Sequence, residues 1–217
     1  MLDVLTNPNG FFEAKKKEAE NLKIPVLIVL ISGLISGIAA YLMTGITLEL
    51  LSETLPPEAL GLATTIGSIS AFIGALVASL IIWVVFAAIF FGISGVFKGE
   101  GSFKRTLEFV GYGYIPMILS GIISTILMYQ FVSTAQIPVL ADPSEVAEVI
   151  RQWVTQNPMV QLSSIIGMLF MLWSANIWIF GVKHARNLTT KNAVITVAIP
   201  VAVYLVYSIW QLGVLGV

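Results

Sequence analysis

Five uninterrupted apolar runs of about 20 residues or more dominate this chain, at approximately Ile24–Met43, Ile66–Phe97, Leu107–Val132, Met159–Val182 and Ala193–Val217. A helix rising 1.5 Å per residue crosses ~30 Å of hydrocarbon in about 20 residues, so each run has the length of a transmembrane helix. With 57% apolar and 11% charged residues in 217, and a mean hydropathy of +0.93, no water-soluble fold could hide this much apolar surface. The fold expected is therefore all-α, a polytopic five-transmembrane-helix bundle with short interfacial helices. Two units are expected: an N-terminal tail at 1–23 and a membrane domain at 24–217. The second run is longer than a bilayer requires, so it should tilt or begin as a non-membrane turn near Thr64–Ser70. The third carries Glu108 about one turn inside its start, where the carboxylate can reach the interface or pair with Lys104.

The 23 Lys, Arg, Asp and Glu residues fall almost entirely between the runs, and their signs alternate from loop to loop. Lys15, Lys16, Lys17 and Lys23 precede the first run; Lys98, Lys104 and Arg105 follow the second; Lys183, Arg186 and Lys191 follow the fourth. The opposite loops hold Arg151 with Glu49, Glu53, Glu58, Asp142, Glu145 and Glu148. Basic residues favour cytoplasmic loops, which puts the N-terminus in the cytoplasm and, after an odd number of crossings, the C-terminus outside. A signal peptide cleaved near Gly37-Ile38-Ala39-Ala40 is the competing reading of the first run. Its length and the four carboxylates before it argue for a span.

Outside the runs, Asn7-Pro8 has the form of a helix cap followed by proline at the first helical position. It predicts a helix from Pro8 to about Leu22, with Phe11 and Phe12 ahead of Lys15, Lys16 and Lys17. That order suits either a helix lying on an anionic interface or a solvated helix feeding the first span. Asp142-Pro143-Ser144-Glu145 opens a second amphipathic helix carrying Val146, Val149, Ile150, Trp153 and Val154, which should stop near Asn157-Pro158.

Few residues have the chemistry of a site. Zero cysteines and one histidine, His184, leave no thiolate or His-cluster metal site, and no catalytic set, cofactor motif or nucleic-acid motif is present. Glu108, Tyr112 and Pro116 are four apart and share one helical face, where the proline bends the span and frees the Tyr112 carbonyl. A carboxylate beside a phenol could bind a proton, a cation or a headgroup; equally, Glu108 could pair with Lys104 while the tyrosines form an interfacial belt. Asn176, deep in the fourth span, should point into the bundle as interhelical glue or as a ligand contact. Gly33 and Gly37 form a GxxxG face for close helix packing, within the chain or between copies. A faint echo relates Gly95-Val96 and Pro116 to Gly181-Val182 and Pro200, consistent with a parallel repeat or with chance.

Pro8-Asn9-Gly10-Phe11-Phe12 before the first span, the Ser102-Phe103-Lys104 turn leading into Gly111-Tyr112 and Pro116, and five spans together resemble the Yip1 family. The resemblance covers most of the chain, with Gly111, Tyr112 and Pro116 as the matching structural positions. It implies a polytopic membrane protein; eukaryotic members are associated with Rab GTPases and with traffic and membrane shaping. This sequence has no DLYGP-type motif, and only 23 residues precede Ile24. Rab binding therefore does not transfer, and a prokaryotic plasma membrane is the location implied.

The leading expectation is a non-enzymatic scaffold or adaptor. It would bind membrane lipids, or a cytosolic or membrane protein partner, through Lys15, Lys16, Lys17, Lys104, Arg105, Lys183 and Arg186. A homo-oligomer is compatible with this. The alternative is a small transporter or channel with a polar path along Glu108, Tyr112 and Asn176.

Overall fold

A computed structural model describes residues 3–52, 56–134, 136, 138 and 142–213. Among them there is no strand, and five helices are long and apolar enough to cross a membrane. The order is α1 (Asp3–Thr6), α2 (Pro8–Lys15), α3 (Lys23–Glu49), α4 (Pro57–Val96), α5 (Phe103–Tyr112), α6 (Ile115–Thr134), a 3₁₀ turn (Pro143–Glu145), α7 (Val146–Gln156), α8 (Pro158–Ala185) and α9 (Thr190–Gln211). The membrane-length helices are α3, α4, α6, α8 and α9. Glu53, one of the acidic-loop residues, lies outside the described residues.

Helices α3 and α4 form a long antiparallel hairpin. Proline at the first helical position starts α4, which then runs unbroken for 40 residues, about 60 Å, through the Thr64–Ser70 segment, so of the two expected accommodations, a tilt or a turn there, the turn is not formed. Glycine makes the hairpin tight: a Cβ on Gly37 would stand 2.7 Å from the Phe72 ring, and one on Gly33 would stand 3.3 Å from the Leu76 Cα. The GxxxG face is thus spent inside the chain. Gly37→Val is expected to force the helices apart at a cost of about 1–3 kcal/mol, read as a lower unfolding midpoint in detergent. An unchanged midpoint would show that Phe72 can turn away freely.

The third expected span divides in two. Helix α5 ends at Tyr112, the 112–114 turn closes with Gly113 N–H donating to Val110 O (3.1 Å) and Tyr114 N–H to Gly111 O (3.2 Å), and α6 starts afresh at Ile115. The membrane-length helix therefore begins eight residues later than Leu107, and Glu108 lies outside it. Pro116 occupies the first turn of α6 rather than a bend inside a span, a place where its missing N–H costs nothing. Pro200, by contrast, sits within α9, so the two prolines are not equivalent and the proposed echo has no structural counterpart.

Aromatic residues gather where the basic loops emerge, at what we call the basic face. Trp178 stacks on Phe86 at 5.3 Å and touches Phe90 and Tyr114, while its Nε1–H donates to the Val110 carbonyl at 2.8 Å. Trp83 likewise donates to the Leu107 carbonyl at 3.0 Å. Two indoles thus hold α5 against α4 and α8. The approach needs glycine at the end of α5 and in the turn after it, since a Cβ on Gly113 would fall 2.0 Å from the Trp178 ring nitrogen and one on Gly111 would fall 2.6 Å from Pro25. At the opposite, acidic end α7 lies as the expected amphipathic helix, with Trp153 edge-on to Phe131 at 5.3 Å, and Asn157 caps α8.

Candidate functional site

Three segments converge at the basic face: the N-terminal residues through Asn21, helix α5 with the loop before it, and the end of α8 with the loop after it. The N-terminal segment starts as predicted, with the Asn7 side chain accepting from Gly10 N–H and Pro8 at the first helical position. Helix α2 nevertheless stops at Lys15 rather than continuing to Leu22. Its Phe12 is fully buried, 4.7 Å from the Phe109 ring and 6.1 Å from Tyr112, with Phe11 edge-on to Tyr112 at 5.1 Å. These rings turn inward because α5 and Gly181 of α8 leave an aromatic-lined seat for them. Asn9 fastens the segment further: its Oδ1 accepts from Lys183 Nζ at 2.9 Å and lies 2.9 Å from His184 Nε2, a geometry that calls for the Nε2–H tautomer.

Beneath this segment lies Glu108. It is fully buried; Oε2 accepts from Arg105 Nη1 at 2.8 Å, whereas Oε1 has no hydrogen-bond partner among the described residues. Burial raises its pKa above the ordinary carboxylate range, and Arg105, the Asn21 backbone and Lys15 oppose that rise. The partner is Arg105, one turn away, not Lys104, which is exposed. Tyr112 is buried beside the two phenylalanines, with its pKa raised by the same desolvation. Arg105 also donates through Nη2 to the Glu18 carbonyl at 2.5 Å, tying the segment to α5. Lys15 is half-buried and paired with Glu18 at 2.5 Å.

Asn176 does not join this group. Trp178 faces α5, and a residue two positions earlier on a helix points about 200° away, so Asn176 emerges on the outer surface of α8, exposed. The face expected to unite Glu108, Tyr112 and Asn176 is therefore not assembled. Glu108 and Tyr112 are together on α5, outside the membrane-length helices.

Arg186 also departs from expectation. It is only 4% exposed, and its guanidinium bonds Ser94 Oγ at 2.9 Å, the carbonyls of Gly99 and Gly101, and the face of Phe91 at 4.1 Å. Its own carbonyl accepts from Glu100 N–H at 2.9 Å. Each guanidinium nitrogen makes a hydrogen bond and the side chain is buried, so Arg186 acts as a clamp holding the 97–102 loop. Lys183 is half-engaged by Asn9 and Phe180.

Lys16 and Lys17 remain exposed, with no ion-pair partner among the described residues. They line a cleft of about 350 Å³ with Ser102, Arg105, His184 and Asn187, edged by Glu20. The sequence pointed to the lysines, to Arg105 and to the α8 terminus. Asn9 and Ser102 stood within the motifs that carry the family resemblance without being picked as contacts, and nothing selected Asn187; the roles of all three depend on the segments meeting. Among the described residues no group of three His, Cys, Asp or Glu side chains is placed to hold a metal.

An all-α, five-span membrane protein with an aromatic-anchored N-terminal segment and a basic cleft at one face is the class this geometry defines. The Yip1 domain profile matches residues 2–211, and the chain belongs to that family. It is 39% identical over 132 residues to an uncharacterized protein of Methanocaldococcus jannaschii, a match covering 59% of this chain and 88% of that protein. No solved structure matches.

Proposed function

We propose that this Yip1-family protein is a non-enzymatic membrane adaptor whose basic face lies in the cytoplasm of a prokaryotic cell and holds anionic, phosphate-bearing lipid headgroups. The observation that carries this reading is the cleft itself, where unpaired Lys16 and Lys17 meet Arg105, Ser102 and Asn187. Two ammonium groups and the edge of a guanidinium attract a phosphate, and the exposed Asn187 amide can orient it, while the Ser102 hydroxyl donates to Glu20 at the rim. Its depth suits a headgroup, since the cleft sits where the membrane-length helix α8 ends. Orientation follows from the basic loops, which ten of the 11 Lys and Arg residues occupy.

Replacing Lys16 and Lys17 together with glutamine is expected to weaken binding of phosphatidylglycerol to the detergent-solubilised protein about 30-fold, from roughly 1 kcal/mol per basic residue near an anionic surface. Native mass spectrometry across a lipid titration reads this directly, with a zwitterionic lipid as the reference. Equal affinity in the double variant would remove the cleft from the proposal, and binding of an acidic peptide without any lipid preference would replace the headgroup with a protein partner.

A further inference from the structure

At the acidic end the sequence places Tyr204, Tyr207, Ser208 and Gln211 at i, i+3, i+4 and i+7, on one face of α9. Ser163, Ser164 and Gly167 line the other side from the first half of α8, and between the two helices lies a cleft of about 330 Å³. Its volume is at the lower end of small-ligand sites, enough for one sugar ring. Two observations mark its depth. Helix α9 has 22 residues and, at about 33 Å, is little longer than the hydrocarbon it crosses, so Gln211 stands at a membrane surface. A Cβ on Gly213 would meet Thr155 Cγ2 at 3.2 Å, which sets the same level beside the amphipathic helix α7. From there the cleft runs inward to Tyr204, about 14 Å along the helix axis. It therefore occupies the headgroup layer and the depth just beneath it.

The lining is uncharged. No Lys, Arg, His, Asp or Glu is part of it; hydroxyls, one carboxamide and two phenol rings are. Some of that capacity is used within the helices, where Ser164 Oγ–H donates to the Val160 carbonyl at 3.1 Å, Ser208 Oγ–H to that of Tyr204 at 2.9 Å, and Gln211 Nε2–H to the Tyr207 phenol oxygen at 2.7 Å. A mixed set of donors and acceptors is left over. The Ser163 and Tyr204 hydroxyls have no hydrogen-bond partner among the described residues, the Tyr207 proton can donate, and Gln211 Oε1 can accept. An interfacial belt accounts for tyrosines at this depth but not for the serines across the cleft on α8. Packing does not require Gly167 either, since a Cβ there would meet nothing within 4 Å; its absence only widens the cleft.

We propose that this cleft holds the uncharged, hydroxyl-bearing headgroup of a glycolipid in the leaflet at the acidic end. A sugar hydroxyl both donates and accepts, which matches the mixed set. Phosphate would call for cations and an ammonium headgroup for a carboxylate, and the cleft supplies neither. The surrounding charge also disfavours an anion: the loops of this face carry Glu49, Glu58, Asp142, Glu145 and Glu148, and Arg151 is held by both oxygens of Glu148 at 2.8 Å. The source is a lipid because Tyr204 and Tyr207 are exposed on the lateral surface of a membrane-length helix. Bound there, the sugar accepts from Tyr204 and Ser163 and donates to Gln211 Oε1. This site is separate from the basic cleft and does not rest on its reading.

Native mass spectrometry of the full chain tests this in an amine-oxide detergent, which brings no sugar to compete. Glucosyl diacylglycerol is expected to bind about 30-fold more tightly than diacylglycerol with the same acyl chains, the scale set by two hydrogen bonds. Tyr204→Phe combined with Ser163→Ala removes two hydroxyls without partners among the described residues. It should erase most of that preference while the unfolding midpoint and phosphatidylglycerol binding stay at wild-type values. Gly167→Leu fills the cleft without pressing on the protein and should exclude the glucosyl lipid under the same controls. Equal binding of the two lipids by the wild type, or a preference that survives in both variants, would overturn the proposal. Free glucose competing as well as the glucosyl lipid would give the cleft to a soluble sugar and overturn the lipid assignment.

Discussion

Arg186→Met is expected to destabilise the protein by about 3 kcal/mol, the scale for removing charge-assisted hydrogen bonds from a buried group and leaving their acceptors unmet. The guanidinium joins Ser94 at the end of α4, two carbonyls of the loop and the end of α8 through a single side chain. The loop's own backbone bonds are few, Gly99 N–H donating to the Ser94 carbonyl and Glu100 N–H to that of Arg186, both at 2.9 Å. Lys98 has φ 57° and Gly101 φ 115°, both left-handed, and a Cβ on Gly101 would stand 2.3 Å from the Ala185 carbonyl oxygen. Burial without a facing carboxylate lowers the Arg186 pKa, yet guanidinium stays charged throughout the range in which proteins fold. Lysine is no substitute, because a single ammonium cannot reproduce the planar fork that reaches two carbonyls and a hydroxyl while lying flat on Phe91. Arg186→Lys should therefore recover little of the loss. Both variants should show a lower unfolding midpoint in detergent and faster amide exchange across 98–102. Wild-type exchange in Arg186→Met would mean that the backbone bond from Glu100 to the Arg186 carbonyl suffices.

The same residue illustrates what the sequence could and could not reveal. Between Lys183 and Lys191 an arginine looks like one more solvated basic-loop charge; its burial depends on carbonyls almost ninety residues earlier in the chain. Helix number was legible because apolar length is a local property, and α3, α4, α6, α8 and α9 lie where the five runs predicted. The start of the third was misplaced because hydropathy does not distinguish a membrane helix from an amphipathic one that buries Glu108, Phe109 and Tyr112 against neighbours. Glycines at 111 and 113 with Pro116 after them were the available signal for a break, and they suggested a bend instead. Asn176 was expected to turn inward, as mid-span amides commonly do. Which side of α8 faces the bundle is decided by Trp178 and its bond to Val110, a long-range fact.

Glu108 gives the other large effect and the clearest pH dependence. Its folded pKa is raised, so between the ordinary glutamate value of about 4.3 and that raised value the folded state holds more protons than the unfolded one. Stability contributed by this group is fully present below the ordinary value and falls as pH rises through the raised one. The groups acting on the carboxylate are Arg105, the Asn21 backbone and Lys15, which favour its charge, and Glu20, which opposes it; burial outweighs all of them. Glu108→Gln keeps an acceptor for Arg105 but cannot titrate, so the decline in unfolding midpoint on raising pH from about 4.5 to 7 should be smaller than in the wild type. Glu108→Leu removes the acceptor altogether and leaves Arg105, 12% exposed, unpaired against Phe109, at a cost of roughly 3–5 kcal/mol. Unfolding followed by tryptophan fluorescence across this pH range tests both. A slope as steep in Glu108→Gln as in the wild type would assign it to other carboxylates. Arg105 also lines the cleft, so a proton on Glu108 leaves its positive charge uncompensated there. Phosphatidylglycerol binding should consequently tighten more as pH falls in the wild type than in Glu108→Gln, where only the protonation of His184, which also lines the cleft and whose pKa burial and Lys183 lower, remains, with Lys16 and Lys17 intact in both.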